Sequence, residues 1–140
     1  MDKTSLYSVM TLSRYGVVSS IANDGTPQSA LVGIAVTPEL EIVFDTLKTT
    51  RKYANLVARP SCSFVLWWSG EQTVQCEGIA IEPQGDALDR YREVYFAVWP
   101  DGPARHNWPG LVHLVVRPRW IRSSDYDQSP ARIEEMSFPV

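Results

Sequence analysis

The sequence predicts an α+β fold in which about six antiparallel strands form a small β-barrel with short helices between them. Short β-branched and apolar runs alternate with Asp-Gly, Pro and Gly turn signals along most of the chain. Two other stretches, 50–59 and 87–98, contain good helix formers or helical apolar spacing. Because consecutive strands are joined by short turns, we expect antiparallel pairing, and closing the sheet into a barrel removes exposed strand edges.

The first third of the chain predicts one helix followed by a three-stranded meander. Thr4 or Ser5 is a candidate cap for a helix that runs to about Arg14. Strands are then predicted at 16–22, 28–36 and 40–46. They are separated by the turn segments Asn23-Asp24-Gly25-Thr26-Pro27 and Thr37-Pro38-Glu39, and Asp-Gly in particular favours the positive φ of hairpin turns.

The rest of the chain predicts two more helices and three more strands. Thr50 is a candidate N-cap of a helix that Pro60 stops. Strands at 61–68 and 72–82 form a hairpin around Ser69-Gly70, and the longest helix covers 87–98, with its apolar residues at three- and four-residue steps. An irregular loop over 100–109 precedes the last strand, at 111–121. The tail from about residue 125 is weakly patterned, and we expect it to be partly flexible.

Size and charge narrow the classes of function. The 140 residues predict a single domain over 1–140, and a net charge of −3 does not favour a nucleic-acid partner. The chain shows neither a signal peptide nor an apolar run long enough to cross a bilayer, so we expect a cytoplasmic protein that does not use a membrane. Cys62 and Cys76 lie in strand-like runs, and we interpret them as reduced core thiols. His106 and His113 have no nearby Cys or His partner, so we predict no metal site.

Residues 46–52 are the most informative for function. A strand ends at Thr46, a loop follows, and a helix starts with Arg51 and Lys52 in its first turn. Basic residues there are locally unfavourable, because a helix N-terminus already carries partial positive charge. Free backbone N–H groups, hydroxyls, a guanidinium and an ammonium group together suit a bound dianion. A solvated basic helix start is the alternative interpretation of the same pattern.

Several segments of the chain, in order, resemble the pyridoxamine 5′-phosphate oxidase-like, FMN-binding split barrels. The hairpin from Gly16 to Gln28 resembles the opening strands of that family. The segment Phe44-Asp45-Thr46 with Thr50-Arg51-Lys52 and Asn55-Leu56 resembles its T…SRK..NL motif, with Thr50 in place of Ser. The strand from Thr73 to Ala80 and the closing strand from Pro118 to Arg122 also match. The resemblance covers about residues 15–125 and implies an α+β fold, a six-stranded antiparallel split β-barrel with short flanking helices.

The resemblance also implies a homodimer that holds FMN in clefts between its subunits. By position, Thr50, Arg51 and Lys52 would hold the phosphate, and Asp45 and Thr46 would line the site. The second strand, around Ala30, Leu31, Val32 and Ala35, would lie along the flavin ring. Gln72 and Thr73 match a position that often reaches the cofactor, and Trp108 would arrive from the partner subunit.

The departures from the family pattern limit the functional prediction. The Arg-x-His segment with which true pyridoxamine phosphate oxidases handle their substrate is missing, and Ala30 stands where those enzymes have a basic residue near the flavin. We therefore expect an FMN-dependent oxidoreductase that acts on an unidentified small-molecule redox substrate, and no catalytic residue can be named. A reductase that uses the deazaflavin F420 on the same barrel, or a non-catalytic flavin- or haem-binding protein, is the alternative.

Overall fold

The computed structural model describes residues 1–139 and consists of a curled antiparallel sheet with four helices. The strands are β1 (Tyr15–Ile21), β2 (Pro27–Gly33), β3 (Ala35–Val36), β4 (Ile42–Leu47), β5 (Ser61–Ser69), β6 (Gln72–Ile81), β7 (Leu111–Asp125) and β8 (Arg132–Ser137). Their order in the sheet is β2-β1-β5-β6-β7-β4-β3, and β8 pairs with β7. The predicted α+β split barrel is confirmed, with eight strands in the described residues where six were expected.

The sheet curls around one main hydrophobic core. Even-numbered residues of β1, β5 and β6 point inward, and Val18, Phe64, Leu66 and Val74 are almost fully buried. This alternation is the period expected of strands with one buried face. Curling brings β2 and β4 into contact without backbone pairing between them, since β2 pairs with β1 and β4 pairs with β3 and β7. The barrel therefore has a seam between β2 and β4.

Four helices flank the sheet: α1 (Lys3–Met10), α2 (Arg51–Ala58), α3 (Gly85–Val98) and α4 (Gly102–Arg105). Thr50 caps α2 as predicted. The expected cap of α1 was wrong: the Asp2 carboxylate accepts the Ser5 amide at 2.8 Å, because a carboxylate one turn earlier reaches the first free N–H groups. A second, smaller core joins Tyr95 of α3 to the sheet.

The predicted second strand is divided in two at Ile34. The Ile34 amide donates to the Arg14 carbonyl, and its own carbonyl accepts the Trp99 indole N–H at 2.9 Å. These bonds turn the chain away from β1, so that β3 pairs with β4 instead. This strand break depends on partners far along the chain, which the local pattern of apolar residues does not reveal.

The C-terminal part of the sheet extends further than predicted. β7 continues to Asp125, and the tail, for which partial flexibility was expected, contains β8, which pairs with β7 from Trp120 to Asp125. In β7 an extra residue lies opposite the step from Glu77 to Gly78. A Cβ atom at Gly78 would lie 2.4 Å from the Arg117 carbonyl oxygen, so this close approach requires glycine. No helix within residues 1–139 is both long and apolar enough to span a membrane.

Candidate functional site

A cleft of about 320 Å³ opens at the seam between β2 and β4. One wall is the end of β2, another is the end of β4 with the start of α2, and the third comes from α4 and the loop after it. Because β2 has no backbone partner on this side, the edge N–H and C=O groups of β2 border the opening. Its lining residues are Leu31, Val32, Gly33, Asp45, Thr46, Leu47, Thr50, Lys52, Arg105, Trp108 and Leu111.

A network of hydroxyl groups fixes the junction of β4 and α2. The Thr50 hydroxyl donates to the Leu47 carbonyl at 2.9 Å and accepts the Tyr53 amide at 3.4 Å. Its oxygen also lies 2.9 Å from the buried Thr46 hydroxyl. The amides of the first helical turn have no partner inside a helix. Thr50 therefore holds the start of α2 against the end of β4, so that these amides adjoin the cleft.

Arg51 and Lys52 border a second, smaller cavity of about 100 Å³, which also includes Ser20, Gln28 and Ala30. We call it the basic pocket. Lys52 lines both the basic pocket and the cleft, so the two adjoin at this side chain. Partial burial lowers the pKa of Lys52 from its ordinary value, and the nearby Asp45 carboxylate opposes this shift. A dianion beside the ammonium group would compensate for its loss of hydration.

Asn55 joins α2 to the two strands that form the floor of the basic pocket. Its amide is buried and donates to the Ser20 hydroxyl at 3.0 Å and to the Gln28 side-chain oxygen at 2.9 Å. Ser20 lies on β1 and Gln28 on β2. The Asn residue of the sequence motif therefore sets the position of Arg51 and Lys52, because it fixes their helix against the sheet.

The opposite wall of the cleft carries a charged pair that the sequence analysis missed. The Arg105 guanidinium donates to Asp45 at 3.3 Å through Nε and to Asp101 at 2.7 Å through Nη1. The Tyr95 hydroxyl donates to the other oxygen of Asp45 at 3.3 Å. Burial, with the Asp45 charge as a second cause, raises the pKa of Tyr95, so its hydroxyl stays protonated and donating. Arg105 follows two prolines and a glycine in an irregular loop, and no local signal places it at the cleft.

His113 lies behind this wall, opposite Asp45 in the register of β4 and β7. It is almost fully buried against the edges of Tyr95 and Phe96, and neither ring nitrogen has a hydrogen-bond partner in the described chain. Burial lowers the pKa of His113 to about 4, which the nearby Asp45 charge only partly opposes. The ring is therefore neutral at pH 7 and belongs to the packing of the wall.

The structure gathers most of the predicted site residues at the cleft and the basic pocket. Leu31, Val32, Asp45, Thr46, Thr50, Lys52 and Trp108 line the cleft, and Ala30 and Arg51 line the basic pocket. Trp108 lies at the cleft of its own chain, where the resemblance placed it in the partner's. Ala35 is buried against α3 and lines neither cavity.

Gln72 and Thr73 lie away from the cleft of their own chain. Gln72 lines a separate cavity and donates to Asp127 at 3.4 Å, and Thr73 is paired with Trp67 on the outer side of the sheet. In the sheet order β6 is separated from β4 by β7 and from β2 by β5 and β1, so Gln72 and Thr73 lie on a strand that does not border the seam.

The cysteines and histidines form no further site. Both thiols are free, as predicted, and burial raises the pKa of Cys62 and of Cys76 to about 12, which leaves them protonated and unreactive. Between Met1 and Pro139, no group of three or more His, Cys, Asp or Glu side chains is arranged to hold a metal ion.

Comparisons with known proteins agree with this architecture. The family model described as pyridoxamine 5′-phosphate oxidase matches residues 7–125. No curated protein matches the sequence. A haem-binding protein from Mycobacterium smegmatis superposes with a TM-score of 0.84 at 15% identity, over 96% of this chain and 57% of that chain. This chain therefore spans little more than half the length of that relative.

Two further solved structures have similar folds and named flavin ligands. An FMN-binding protein from Nostoc punctiforme, described as pyridoxamine 5′-phosphate oxidase-related, gives a TM-score of 0.65 at 10% identity, over 99% of this chain and 93% of that chain. An FAD-binding protein from Mesorhizobium loti gives 0.69 at 17% identity, over 88% and 93% of the two chains. At these identities the likeness concerns the fold.

Proposed function

The chain belongs to the pyridoxamine 5′-phosphate oxidase family, and from this premise we propose that it is an FMN-binding oxidoreductase that acts as a homodimer. The observation that carries the proposal is the position of Thr50, Arg51 and Lys52 where the cleft meets the basic pocket. In the bound protein, FMN would supply the redox chemistry by accepting a hydride from a donor and passing electrons on. The chain itself would supply binding, orientation and exclusion of water.

The phosphate would lie at the start of α2. The helix start offers backbone N–H groups and the positive end of the helix dipole, and Arg51 and Lys52 add two full charges. The Thr46 and Thr50 hydroxyls are already held in place by their mutual hydrogen bond. The donor set fits a phosphate monoester, because backbone N–H groups and two cations converge while Asp45 is already bound by Arg105 and Tyr95.

The flavin ring would lie along the end of β2. Leu31 and Val32 provide an apolar surface for the flat ring, and the unpaired edge of β2 provides backbone donors and acceptors for its polar side. Trp108 is half exposed at the rim, where it could cover the ring from the side of the loop. These features fit a flavin, since an isoalloxazine ring requires a largely apolar slot with a few placed polar groups.

A second copy of the chain would cover the open side of the cleft. The outer face of β1, β2 and β5 exposes four large apolar side chains by 41–68%: Tyr15, Leu31, Val65 and Trp67. A contiguous apolar patch on a sheet face is typical of a protein–protein interface. Leu31 belongs both to this face and to the cleft, so a copy docked on the face would close the cleft.

Docking of this kind would also explain how Thr73 could contact a cofactor. It lies on the same outer face, directly opposite Trp67 on the neighbouring strand. A partner's Thr73, with Gln72 next to it, would then approach the cleft that it cannot reach within its own chain. A solution mass equal to that of one chain at micromolar concentration would contradict the dimer.

The substrate stays open, and vitamin B6 oxidation is not part of the proposal. The tail that follows β7 contains no Arg-x-His segment, and it forms β8 on the edge of the sheet beside the N-terminus rather than at the cleft. The ring of F420 also requires an apolar slot. The structurally similar protein from Mycobacterium smegmatis is described as haem-binding. Both are alternatives that the experiment below separates from FMN.

The test is the absorption spectrum of the protein as purified, followed by titration of the ligand-free protein with FMN, F420 and haemin. We expect a flavin spectrum, or saturable uptake of FMN that is tighter than uptake of the other two ligands. The variant Arg51→Ala/Lys52→Ala should lose at least about 100-fold in FMN affinity, since each charge-assisted contact contributes about 1.5–3 kcal/mol. A Soret band, tighter binding of F420, or a protein that takes up no FMN would contradict the proposal.

A further inference from the structure

Arg105 presents a fixed guanidinium group to the cleft from the wall opposite β2. The side chain is 21% exposed, and two carboxylates hold it: Asp45 through Nε and Asp101 through Nη1. Asp45 is in turn held by the Tyr95 hydroxyl. A planar group fixed at two corners can move little, so its orientation toward the cleft is defined before any ligand binds.

One corner of this guanidinium remains free. Within residues 1–139, Nη2 of Arg105 makes no hydrogen bond, whereas Nε and Nη1 each make one. Among the described residues, the other charged groups that line the cleft are Asp45, which pairs with Arg105, and Lys52, which also lines the basic pocket. Arg105 is therefore a cation at the cleft that is carried by α4 and is separate from the pair Arg51 and Lys52 on α2.

The β2 side of the cleft has no charge of its own. Its residues are Leu31, Val32 and Gly33, and none of these side chains is ionisable. A flavin ring has an apolar dimethylbenzene end and a polar pyrimidine end, and reduction adds negative charge to the polar end. A nearby cation interacts favourably with the polar end and stabilises the reduced ring.

We propose that Arg105 contacts the polar edge of the flavin ring and supplies, from α4, the positive charge that β2 lacks. This inference rests on the proposed FMN function. It assigns to Arg105 two effects: tighter binding of the cofactor and a higher midpoint potential of the bound flavin. Asp45, Asp101 and Tyr95 are positioning residues, because they hold the guanidinium and do not themselves need to touch the ring.

The test compares Arg105→Gln with Arg90→Gln, which removes the same charge from an exposed position on α3. For each protein we would measure the FMN dissociation constant by titration of ligand-free protein, and the midpoint potential by equilibration with a reference dye. Arg105→Gln should weaken FMN binding by about tenfold or more, which is the loss expected for one charge-assisted hydrogen bond. It should also lower the midpoint potential, while Arg90→Gln should change neither.

Arg105→Lys serves as the second variant and covers the case in which Arg105→Gln does not fold. Lysine keeps the charge but cannot bind Asp45 and Asp101 in the same planar geometry. It should therefore restore most of the midpoint potential and only part of the affinity.

The possible failures are distinguishable. If the unaltered protein takes up no FMN, both the proposed function and this inference fail. If the unaltered protein binds FMN and Arg105→Gln matches it in affinity and potential, only the role of Arg105 is wrong.

Discussion

Replacing Asn55 should destabilise the protein, because its side chain joins α2 to β1 and β2. The Asn55 amide group makes two hydrogen bonds, at 3.0 and 2.9 Å, and it is 6% exposed. Each bond contributes about 1 kcal/mol to stability, and the loss also leaves the Ser20 hydroxyl, which is only 1% exposed, without this donor, which adds about 1–2 kcal/mol. We therefore expect Asn55→Ala to lower the free energy of unfolding by about 2–4 kcal/mol.

Urea unfolding followed by tryptophan fluorescence measures this loss directly. Asn55→Asp is the sharper variant, because aspartate has the size of asparagine but offers only acceptors to the two oxygens. Asn107→Ala is the matched control: Asn107 is exposed in the loop after α4, and its loss should change stability by less than about 0.5 kcal/mol. If Asn55→Ala and Asn107→Ala unfold at the same urea concentration, Asn55 does not fix α2 to the sheet.

Three further predictions concern the wall behind the cleft, the close approach at β2 and the outer face of the sheet. The pKa of His113 is lower in the folded protein, at about 4, than its ordinary 6.5, so the unfolded chain binds more protons in this range and stability should fall as pH drops from about 6.5 to 4. In His113→Leu the urea midpoint should change less over this range than in the unaltered protein, and an identical pH dependence would refute the assignment. Gly33→Ala would place a Cβ atom 2.7 Å from the Trp99 ring, so it should cost about 1–3 kcal/mol, and an unchanged urea midpoint would count against this packing. Trp67→Glu should convert the dimer to monomer in analytical ultracentrifugation, whereas Val57→Glu, an equally exposed apolar position on α2, should not; a dimer that tolerates Trp67→Glu uses another surface.

The parts of the fold that the sequence predicts correctly are those set by local interactions. Thr50 caps α2 and Pro60 follows its end because both signals act within one helical turn. Most strand positions follow from short-range alternation of apolar and polar residues. Together these elements predict the α+β class. The split barrel itself is predicted from the order of the motifs, which resembles that of a known family.

The parts that the sequence does not predict depend on contacts between distant segments. The break at Ile34 depends on Arg14 and Trp99, and β8 forms because the long strand β7 offers it an edge. Arg105 is the clearest case at the site. Its place at the cleft is set by Asp45, sixty positions earlier in the chain, and by a helix of four residues that has no amphipathic pattern.

The seam between β2 and β4 connects the fold to the proposed chemistry. A fully closed barrel would pair the edge of β2 and leave no opening, whereas here the edge borders a cleft with an apolar side and two cationic side chains. Lys52 and Arg105 lie on different walls, and each is held by the element that carries it. The same gap that interrupts the sheet thus creates the binding site.

The most direct test of the account compares FMN with riboflavin, which has the same ring but no phosphate. The unaltered protein should bind FMN at least about 100-fold more tightly than riboflavin, because the phosphate contributes charge-assisted contacts with Arg51 and Lys52. In Arg51→Gln/Lys52→Gln this preference should fall to about tenfold or less. It should persist in Arg90→Gln/Arg119→Gln, which removes two exposed charges elsewhere. Equal affinity of the unaltered protein for FMN and riboflavin would contradict the claim that the start of α2 binds the phosphate.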